Sequence, residues 1–318
     1  MPSARAAIQF IATCVLGWLV FGASAGASEA CPPAAKPLND TLFQSAAAQA
    51  KDHGLLWRAS KGGHSSYLYG TLHVGRAEWM APGPLLTAAL QATDTLALEL
   101  DPLNADVQRD MAAGMAQVIL RPLTAAMRAR LVRQLKAQCL PTQDVDTAPA
   151  EMQLITLSAL AGRRDGLDPT YGSEVLLSVM ARSMARPVVS LETVQEQMYA
   201  LLARNATEAD ALVREGLDDL ETDRLRQVLL QTVQVWDTAD FEALSRYSEW
   251  CQCASTPGEK EQMRRLLDDR NPGLAQRVDA LHASGKKLLV AVGSLHMAGP
   301  QGLPALLAAR GYQVERLR

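Results

Sequence analysis

The sequence predicts an α/β fold in which two pseudo-symmetric β-α-β units form a central, mostly parallel sheet, with a large helical insertion between them. The first observation is a repeat. Residues 67–75 read Tyr-Leu-Tyr-Gly-Thr-Leu-His-Val-Gly, and residues 290–299 read Val-Ala-Val-Gly-Ser-Leu-His-Met-Ala-Gly. In each, a short apolar run that is typical of a buried strand stops at Gly-x-Leu-His. The second observation is that apolar residues recur at helical spacing through most of residues 103–265.

The first unit reads strand, Gly-x-x-His turn, helix, strand. Two apolar runs at 55–58 and 67–69 flank a Lys-Gly-Gly turn at 61–63, which predicts a β-hairpin. After the histidine, a Pro-Gly-Pro turn precedes apolar residues at helical spacing over 85–90. A buried strand over 95–100 then completes the unit.

The second unit repeats this order in the last thirty or so residues of the chain. A strand is predicted over 288–292, the Gly-x-x-His turn at 293–296 and a helix over 303–310. Gly311 is expected to end that helix, and a final strand follows over 312–317. The two units therefore stand at opposite ends of the predicted domain.

The middle of the chain is predicted to be an insertion and not a separate domain. A strand is expected there at 187–191, and helices are expected over 105–119, 123–138, 150–161, 174–185, 193–202 and 207–235. We predict a single domain over residues 51–318, in which the insertion at about 103–265 covers the sheet and its site.

The N-terminal residues 1–27 are predicted to be a signal peptide. Arg5 supplies positive charge, residues 7–22 are apolar and uncharged, and Ala-Ser-Ala at 23–25 is a small-residue cleavage site. We therefore expect a periplasmic or secreted protein with no transmembrane segment once the signal is removed. The Pro-, Ala- and Ser-rich stretch that follows is expected to make residues 28–50 a flexible lead-in.

Composition excludes one large class of partners. The 318-residue chain is 48% hydrophobic, carries a formal net charge of −3 with acidic and basic residues interleaved, and is only 5% aromatic. A nucleic-acid-binding protein would show a basic stripe or a base-stacking surface, so we expect no nucleic-acid partner. The oligomeric state is not indicated by any pattern.

Four cysteines remain after signal removal, and an even number in an exported protein indicates disulfides. Cys251 and Cys253 are close together in sequence, so we expect each to pair with Cys139 or Cys31 and not with the other. The three possible pairings stay open. A zinc site built on the Cys-x-Cys segment is the alternative.

Two histidines and one glutamate are the candidate reacting groups. His73 and His296 follow strand ends, and the carboxyl ends of parallel strands meet at the edge where open α/β sheets build their sites. Gly70 and Gly293 precede them and let backbone or ligand approach closely. Glu99 lies in the apolar run Leu-Ala-Leu-Glu-Leu, where a carboxylate is costly unless it is paired or binds metal.

This set of groups predicts a divalent-metal site with Mn, Co or Zn. Two neutral imidazoles and a carboxylate leave coordination positions for water, which suits hydrolysis. Glu99 is instead a general base if it stays off the metal, or a solvent-facing residue if its strand is at an edge. The remaining histidines, His53, His64 and His282, lack a partner motif and are expected at the surface.

Three further residues are second-tier candidates. Arg270 is expected either to bind a substrate carboxylate or oxyanion, or to be exposed. Asn271 precedes a proline, and Glu192 precedes a predicted helix, so helix capping competes with substrate binding at both.

These motifs resemble the TraB/GumN family of bacterial exported proteins, which is related to the Tiki proteins of animals. The resemblance runs from about residue 55 to the end and rests on the paired Gly-x-x-His motifs, the Glu99 strand and supporting matches at 166–168, 191–197 and 270–271. It implies a fold like that of the erythromycin-esterase and ChaN group. For the Tiki proteins it implies a manganese- or cobalt-dependent peptidase that trims amino-terminal segments. We therefore expect this chain to be an exported, divalent-metal-dependent hydrolase that acts on a peptide or small-molecule substrate.

Two non-catalytic alternatives remain. One is a periplasmic binding protein that sequesters a peptide, a pheromone or haem. The other is an accessory protein in envelope polysaccharide assembly, in which the histidines are structural.

Overall fold

The structure is a computed structural model that describes residues 31–143 and 145–318, so the predicted signal peptide lies outside the described residues. The described residues form one six-stranded sheet. Its strands are β1 (Leu55–Lys61), β2 (His64–Thr71), β3 (Thr95–Leu98), β4 (Val188–Ser190), β5 (Leu288–Gly293) and β6 (Gln313–Arg316). Their spatial order is β4-β3-β5-β2-β1-β6.

The sheet is mostly parallel, as predicted. β5 runs parallel to both β2 and β3, and β4 runs parallel to β3, whereas β1 is antiparallel to β2 and β6. The predicted hairpin joins β1 to β2 through Gly62 and Gly63, whose φ angles of +61° and +84° are those of a tight hairpin turn. The strands of the two repeated units, β2 and β5, are hydrogen-bonded neighbours.

Helices surround this sheet. They are α1 (Asp40–Ala47), α2 (Pro84–Ala92), α3 (Ala105–Ala116), α4 (Ala125–Ala137), α5 (Ala150–Leu160), α6 (Ser173–Ser183), α7 (Val194–Leu201), α8 (Ala206–Glu221), α9 (Arg224–Asp237), α10 (Phe241–Ser245), α11 (Tyr247–Trp250), α12 (Pro257–Leu266), α13 (Asn271–Ala283) and α14 (Leu303–Ala309).

The central strand β5 shows how the layers are built. Its alternate residues Leu288, Val290 and Val292 join the apolar cluster that contains residues of α13 and α14. Leu289 and Ala291 point to the opposite face, where α2 and α6 pack. All six residues of β5 are buried, which explains why the strand is an unbroken apolar run and not an alternating one.

The predicted insertion is helical, with its own apolar cluster. Leu131 of α4, Leu154 of α5 and Leu217 of α8 are fully buried together. The strand expected at 187–191 is confirmed as β4. The expectation of a single helix over 207–235 was wrong. The helix is interrupted at Asp223, which lies between α8 and α9 and has a left-handed φ of +59°.

The lead-in predicted as flexible over 28–50 contains helix α1. The side chain of Asn39 accepts a hydrogen bond from the Leu42 amide at 3.0 Å and so caps its first turn. Leu42 and Ala46, one turn apart, are buried in a small cluster against the rest of the protein. A capping residue followed by apolar residues at i and i+4 therefore outweighs the turn-rich composition of the segment.

The cysteines form two disulfides, Cys31–Cys139 and Cys251–Cys253. The expectation that Cys251 and Cys253 would not pair with each other was wrong, and so was the zinc alternative. Gln252 between them takes a left-handed φ of +56°, and the two Cα atoms come to 5.1 Å, within the span of about 4.4–6.8 Å that a disulfide can bridge.

Candidate active site

His73 and His296 leave the sheet from adjacent strands. In the register of β2 and β5, Thr71 lies opposite Gly293, and each histidine follows within one short turn. His296 lies in a 3₁₀ turn and is fully buried. The Ser294 hydroxyl donates to the Thr71 carbonyl at 2.6 Å and ties the two turns together. The structure thus brings both predicted histidines to one edge of the sheet.

Glu99 follows β3 directly and is only 6% exposed. Because β3 lies between β4 and β5, the alternative of a solvent-facing edge-strand glutamate is wrong. Oε1 of Glu99 accepts a hydrogen bond from the Gly293 amide at 2.7 Å and lies 3.7 Å from Nε2 of His296. Glu99 therefore lies beside His296, at the edge of the sheet where both histidines lie.

The electrostatics of the site favour a charged carboxylate beside a neutral imidazole. Burial by itself raises the pKa of Glu99. The Arg270 guanidinium, followed by His296, His73 and the Gly293 amide, outweighs burial and brings that pKa well below its usual range. The pKa of His296 is also lowered, chiefly by burial, which the charge of Glu99 offsets only in part. These are the protonation states in which both side chains can donate electron pairs.

Gly293 marks the point where the three side chains meet. A Cβ at this position would lie 3.2 Å from Nε2 of His73 and 3.3 Å from Oε1 of Glu99. The same atom would lie 3.6 Å from Cδ2 of His296. Gly70, the motif glycine of the first unit, makes a different close approach, since a Cβ there would lie 3.1 Å from Cα of Ser294.

Each histidine is held through its Nδ1 atom. Nδ1 of His296 hydrogen-bonds Oδ1 of Asn271 at 2.5 Å, and Nδ1 of His73 pairs with Oε1 of Glu174 in the first turn of α6. A carboxylate or amide oxygen on one ring nitrogen fixes the orientation of the ring and leaves Nε2 as the electron-pair donor. Asn271 is therefore not the helix cap that its proline neighbour indicated, and its amide also donates to the Gln301 carbonyl at 2.8 Å.

Arg270 lies between two buried carboxylates. Its Nη2 contacts Oε2 of Glu99 at 2.5 Å, and its Nε donates to Oε1 of Glu192 at 2.9 Å. Gln197 donates to both acids, to Glu192 at 3.2 Å and to Glu99 at 3.4 Å. The alternative that Arg270 is exposed is wrong, since its side chain is 9% exposed. The helix start after Glu192 is capped by Thr193.

The segment around residues 166–173 clamps the His73 turn from outside. The backbones of Gly75 and Asp168 exchange two hydrogen bonds, at 2.9 and 3.1 Å. Ser173 exchanges hydrogen bonds with the backbone of Leu72 through its own amide and hydroxyl. A Cβ at Gly75 would lie 2.0 Å from the Tyr171 carbonyl oxygen, so only glycine permits this approach.

A cleft that is partly open to solvent adjoins His73 and Gly293. The ends of β2 and β5 and helices α5, α9, α10 and α11 contribute the lining residues, which are Thr71, Leu72, His73, Val74, Ser158, Leu225, Val228, Leu229, Thr232, Trp236, Leu244, Tyr247, Gly293, Ser294 and Leu295. The cleft gives a ligand direct access to His73.

The other histidines are structural, and the expectation that they lie at the surface was wrong for His282. His282 is 2% exposed, stacks on His64 with ring centroids 3.8 Å apart and hydrogen-bonds Ser66 at 2.8 Å. His53 pairs with Asp237. The ring nitrogens of His282 hydrogen-bond residues of the β1–β2 hairpin, and Nδ1 of His53 contacts the end of α9.

Two residues of the site were missed as functional candidates. The sequence places Glu174 at the start of a predicted helix, and an acid buried in the first turn of an apolar helix indicates a polar partner. Gln197 belongs to the motif over 191–197, and its contacts with Glu99 and Glu192 depend on tertiary structure.

As the side chains are arranged, no three His, Cys, Asp or Glu residues within 31–143 and 145–318 form a group that could hold a metal ion. Likewise, none of the helices in this part of the chain is both long and apolar enough to span a bilayer.

Comparison with known proteins identifies the family. No curated protein and no solved structure gives a significant match to the chain. Residues 55–316, which run from the first strand of the sheet into the last, match the TraB/PrgY/gumN family. The match covers both Gly-x-x-His turns, Glu99 and the Arg270–Asn271 pair, and the chain belongs to the TraB/PrgY/gumN family.

Proposed function

We propose that this protein is an exported, divalent-metal-dependent hydrolase that acts on peptides. The observation that carries the proposal is the meeting of His73, His296 and Glu99 around Gly293, with each imidazole oriented through Nδ1 by a residue outside the centre. This pattern of oriented imidazoles beside a charged carboxylate is what metal centres use.

The types of donor suit a divalent cation in chemistry and in protonation state, although the side chains as arranged do not form a metal-holding group. His296 is neutral and Glu99 is charged at neutral pH, as metal ligands must be. Oε1 of Glu99 accepts one hydrogen bond, from Gly293, and keeps a second lone pair. His73, His296 and Glu99 would hold Mn, Co or Zn. Such a cation lowers the pKa of a bound water molecule and polarises a carbonyl group.

The protein's own residues would supply binding and orientation. Arg270 keeps Glu99 ionised, and this favours a ligand role for Glu99 over that of a general base, which needs a pKa near the working pH. The cleft beside His73 would admit the substrate. Export is supported by two disulfides, which persist in oxidising compartments.

Ligand binding without turnover is the second candidate function. It is favoured by the contacts of Glu99, whose two oxygens already meet Gly293 and Arg270. In this arrangement the three side chains do not form a metal-holding group. Sequestration of a peptide or haem would use the cleft and leave the histidines as structural groups.

Metal content by elemental analysis separates the two candidates. The mature wild type and the His73→Ala/His296→Ala variant would be exposed to Mn, Co and Zn and then desalted. His64→Ala, at the opposite end of β2 from His73, is the matched control. Near-stoichiometric metal in the wild type and control, lost in a double variant that keeps its circular dichroism spectrum, supports the hydrolase. A peptide-library screen with the loaded protein follows. Equal metal content in all three proteins would contradict it.

A further inference from the structure

The cleft beside His73 has an apolar wall of regular construction. Leu225, Val228 and Leu229 of α9 recur at i, i+3 and i+4 and so line one stripe of that helix, and Leu295 joins them from the turn after β5. No Asp, Glu, Lys or Arg is among the lining residues. A charged ligand group in this cleft would lose its hydration without gaining an ionic partner.

The polar groups of the lining mostly face the protein. The hydroxyls of Ser158, Thr232 and Ser294 each donate to a backbone carbonyl, at 2.7, 2.8 and 2.6 Å. Trp236 donates its indole N–H to a backbone carbonyl at 2.7 Å. With these donors occupied, the surface that a ligand meets is mainly hydrocarbon.

Thr71 is the exception. Its hydroxyl is buried, the residue being 1% exposed, and Oγ1 makes no hydrogen bond to any described residue. A buried hydroxyl without a partner costs free energy unless a ligand or water satisfies it. Thr71 lies opposite Gly293 in the sheet, so this free donor stands beside the point where the reacting groups meet.

We infer that the cleft is a specificity subsite that binds an aliphatic or aromatic side chain of the substrate, while the Thr71 hydroxyl hydrogen-bonds the adjoining backbone amide. The inference rests on the proposed peptidase reaction, because it places the selected substrate residue next to the substrate peptide bond that would be hydrolysed near Gly293. The substrates are then peptides with a bulky apolar residue at the position that enters the cleft.

A binding assay tests the subsite without requiring turnover. The probes are N-acetyl-leucine amide and N-acetyl-phenylalanine amide, compared with the aspartate and lysine analogues, in ligand-observed NMR with the full mature chain. Val228→Phe and Leu229→Phe fill the cleft, and Gln231→Phe on the exposed face of α9 is the matched control. Thr71→Val removes the hydroxyl at nearly constant volume.

We expect the apolar amides to bind and the charged ones not to bind. Filling the cleft should weaken the binding of the apolar amides by at least about tenfold, the effect of a small steric change in an apolar pocket. Thr71→Val should weaken it by roughly five- to tenfold, the loss of one hydrogen bond. The Gln231 variant should bind like the wild type. Equal binding of charged and apolar amides, or binding unaffected in both cleft variants, overturns the inference.

A parallel peptide-library digest separates this inference from the proposed function. Apolar-selective binding without any hydrolysis by the metal-loaded protein would retain the subsite and reject the peptidase. Hydrolysis that ignores side-chain character and persists unaltered in Val228→Phe and Leu229→Phe would retain the peptidase and reject the subsite.

Discussion

Nε2 of His296 lies 3.7 Å from Oε1 of Glu99, although one residue follows β5 and the other follows β3. Each of the two side chains also contacts a residue at the start of α13. Asn271 hydrogen-bonds Nδ1 of His296, and Arg270 donates to Oε2 of Glu99. Because Arg270 and Asn271 are adjacent in sequence, one helix terminus positions both His296 and Glu99. Mutation of either residue should displace only its own partner.

Gly293→Ala should damage the site more than the fold. The new methyl group would lie 3.2–3.3 Å from His73 and Glu99, so both must shift. We expect metal retention or hydrolysis to fall by at least about tenfold, because a reaction tolerates little displacement of the groups that carry it out. The stability loss should be about 1–3 kcal/mol, as for an overpacked core. Gly273→Ala is the control, since its methyl group would meet only Arg277 at 3.8 Å. Equal activity in both variants would contradict the site.

Asn271→Ala should loosen His296 without removing it. Loss of the Nδ1 partner frees the ring to turn, and we expect metal affinity to fall by about 10–100-fold, the usual effect of losing such a partner. Asn271→Asp keeps an oxygen acceptor and should restore most of the affinity. Metal titration followed by calorimetry measures both variants. If Ala and Asp behave alike, Asn271 does not act through the His296 ring.

Arg270→Ala should destabilise the protein in a pH-dependent way. Removing the guanidinium leaves Glu99 and Glu192 buried without their cation, which costs about 3–5 kcal/mol at neutral pH. Without the guanidinium, burial is offset less, so the pKa of Glu99 in the variant should be raised from its lowered wild-type value. In the wild type, the ionised Glu99 contributes stability above its unfolded pKa, about 4.3, and this contribution is lost as pH falls through the lowered folded pKa; the variant should lack much of it.

Urea unfolding at pH 4 and pH 7 measures this difference. The gap between the wild type and Arg270→Ala should widen from pH 4 to pH 7. Arg246→Ala, which breaks an exposed pair with Glu242, should cost less than about 0.5 kcal/mol at both pH values. If the difference in unfolding free energy between the wild type and Arg270→Ala is the same at pH 4 and pH 7, then loss of Arg270 does not change the ionisation of its carboxylate partners.

The two disulfides should differ in their effect on stability. Cys31–Cys139 closes a loop across a sequence separation of 108, whereas Cys251–Cys253 spans a separation of 2. In the chain-entropy account, removing the first by paired Ala substitutions costs up to about 5 kcal/mol and the second about 2 kcal/mol. Thermal unfolding of the two double variants compares them. A larger loss for Cys251→Ala/Cys253→Ala would mean that packing around that bridge outweighs loop entropy.

Much of the site could be predicted because local sequence marked it. The apolar runs that end in Gly-x-x-His identified His73 and His296, and a carboxylate inside an apolar strand identified Glu99. These signals are local, since a buried strand and a buried charge are visible within a few residues. The parallel pairing of β2 with β5 followed from the repeat.

The rest depends on contacts between distant segments. Nothing near Glu174 in sequence shows that its carboxylate meets His73, and the stacking of His282 on His64 joins a helix to a hairpin. The Cys251–Cys253 bridge depends on one left-handed residue, Gln252, which composition does not indicate. Such features need the tertiary structure.

The position of β5 has a consequence for how the candidate site is assembled. β5 comes long after β2 and β3 in the sequence, yet it lies between them in the middle of the sheet. Until it is inserted, the two earlier strands have no neighbour in common, and His73 and Glu99 have no Gly293 around which to meet. The meeting of His73, His296 and Glu99 therefore requires β5 to be paired on both sides, so the candidate site depends on a fully assembled sheet.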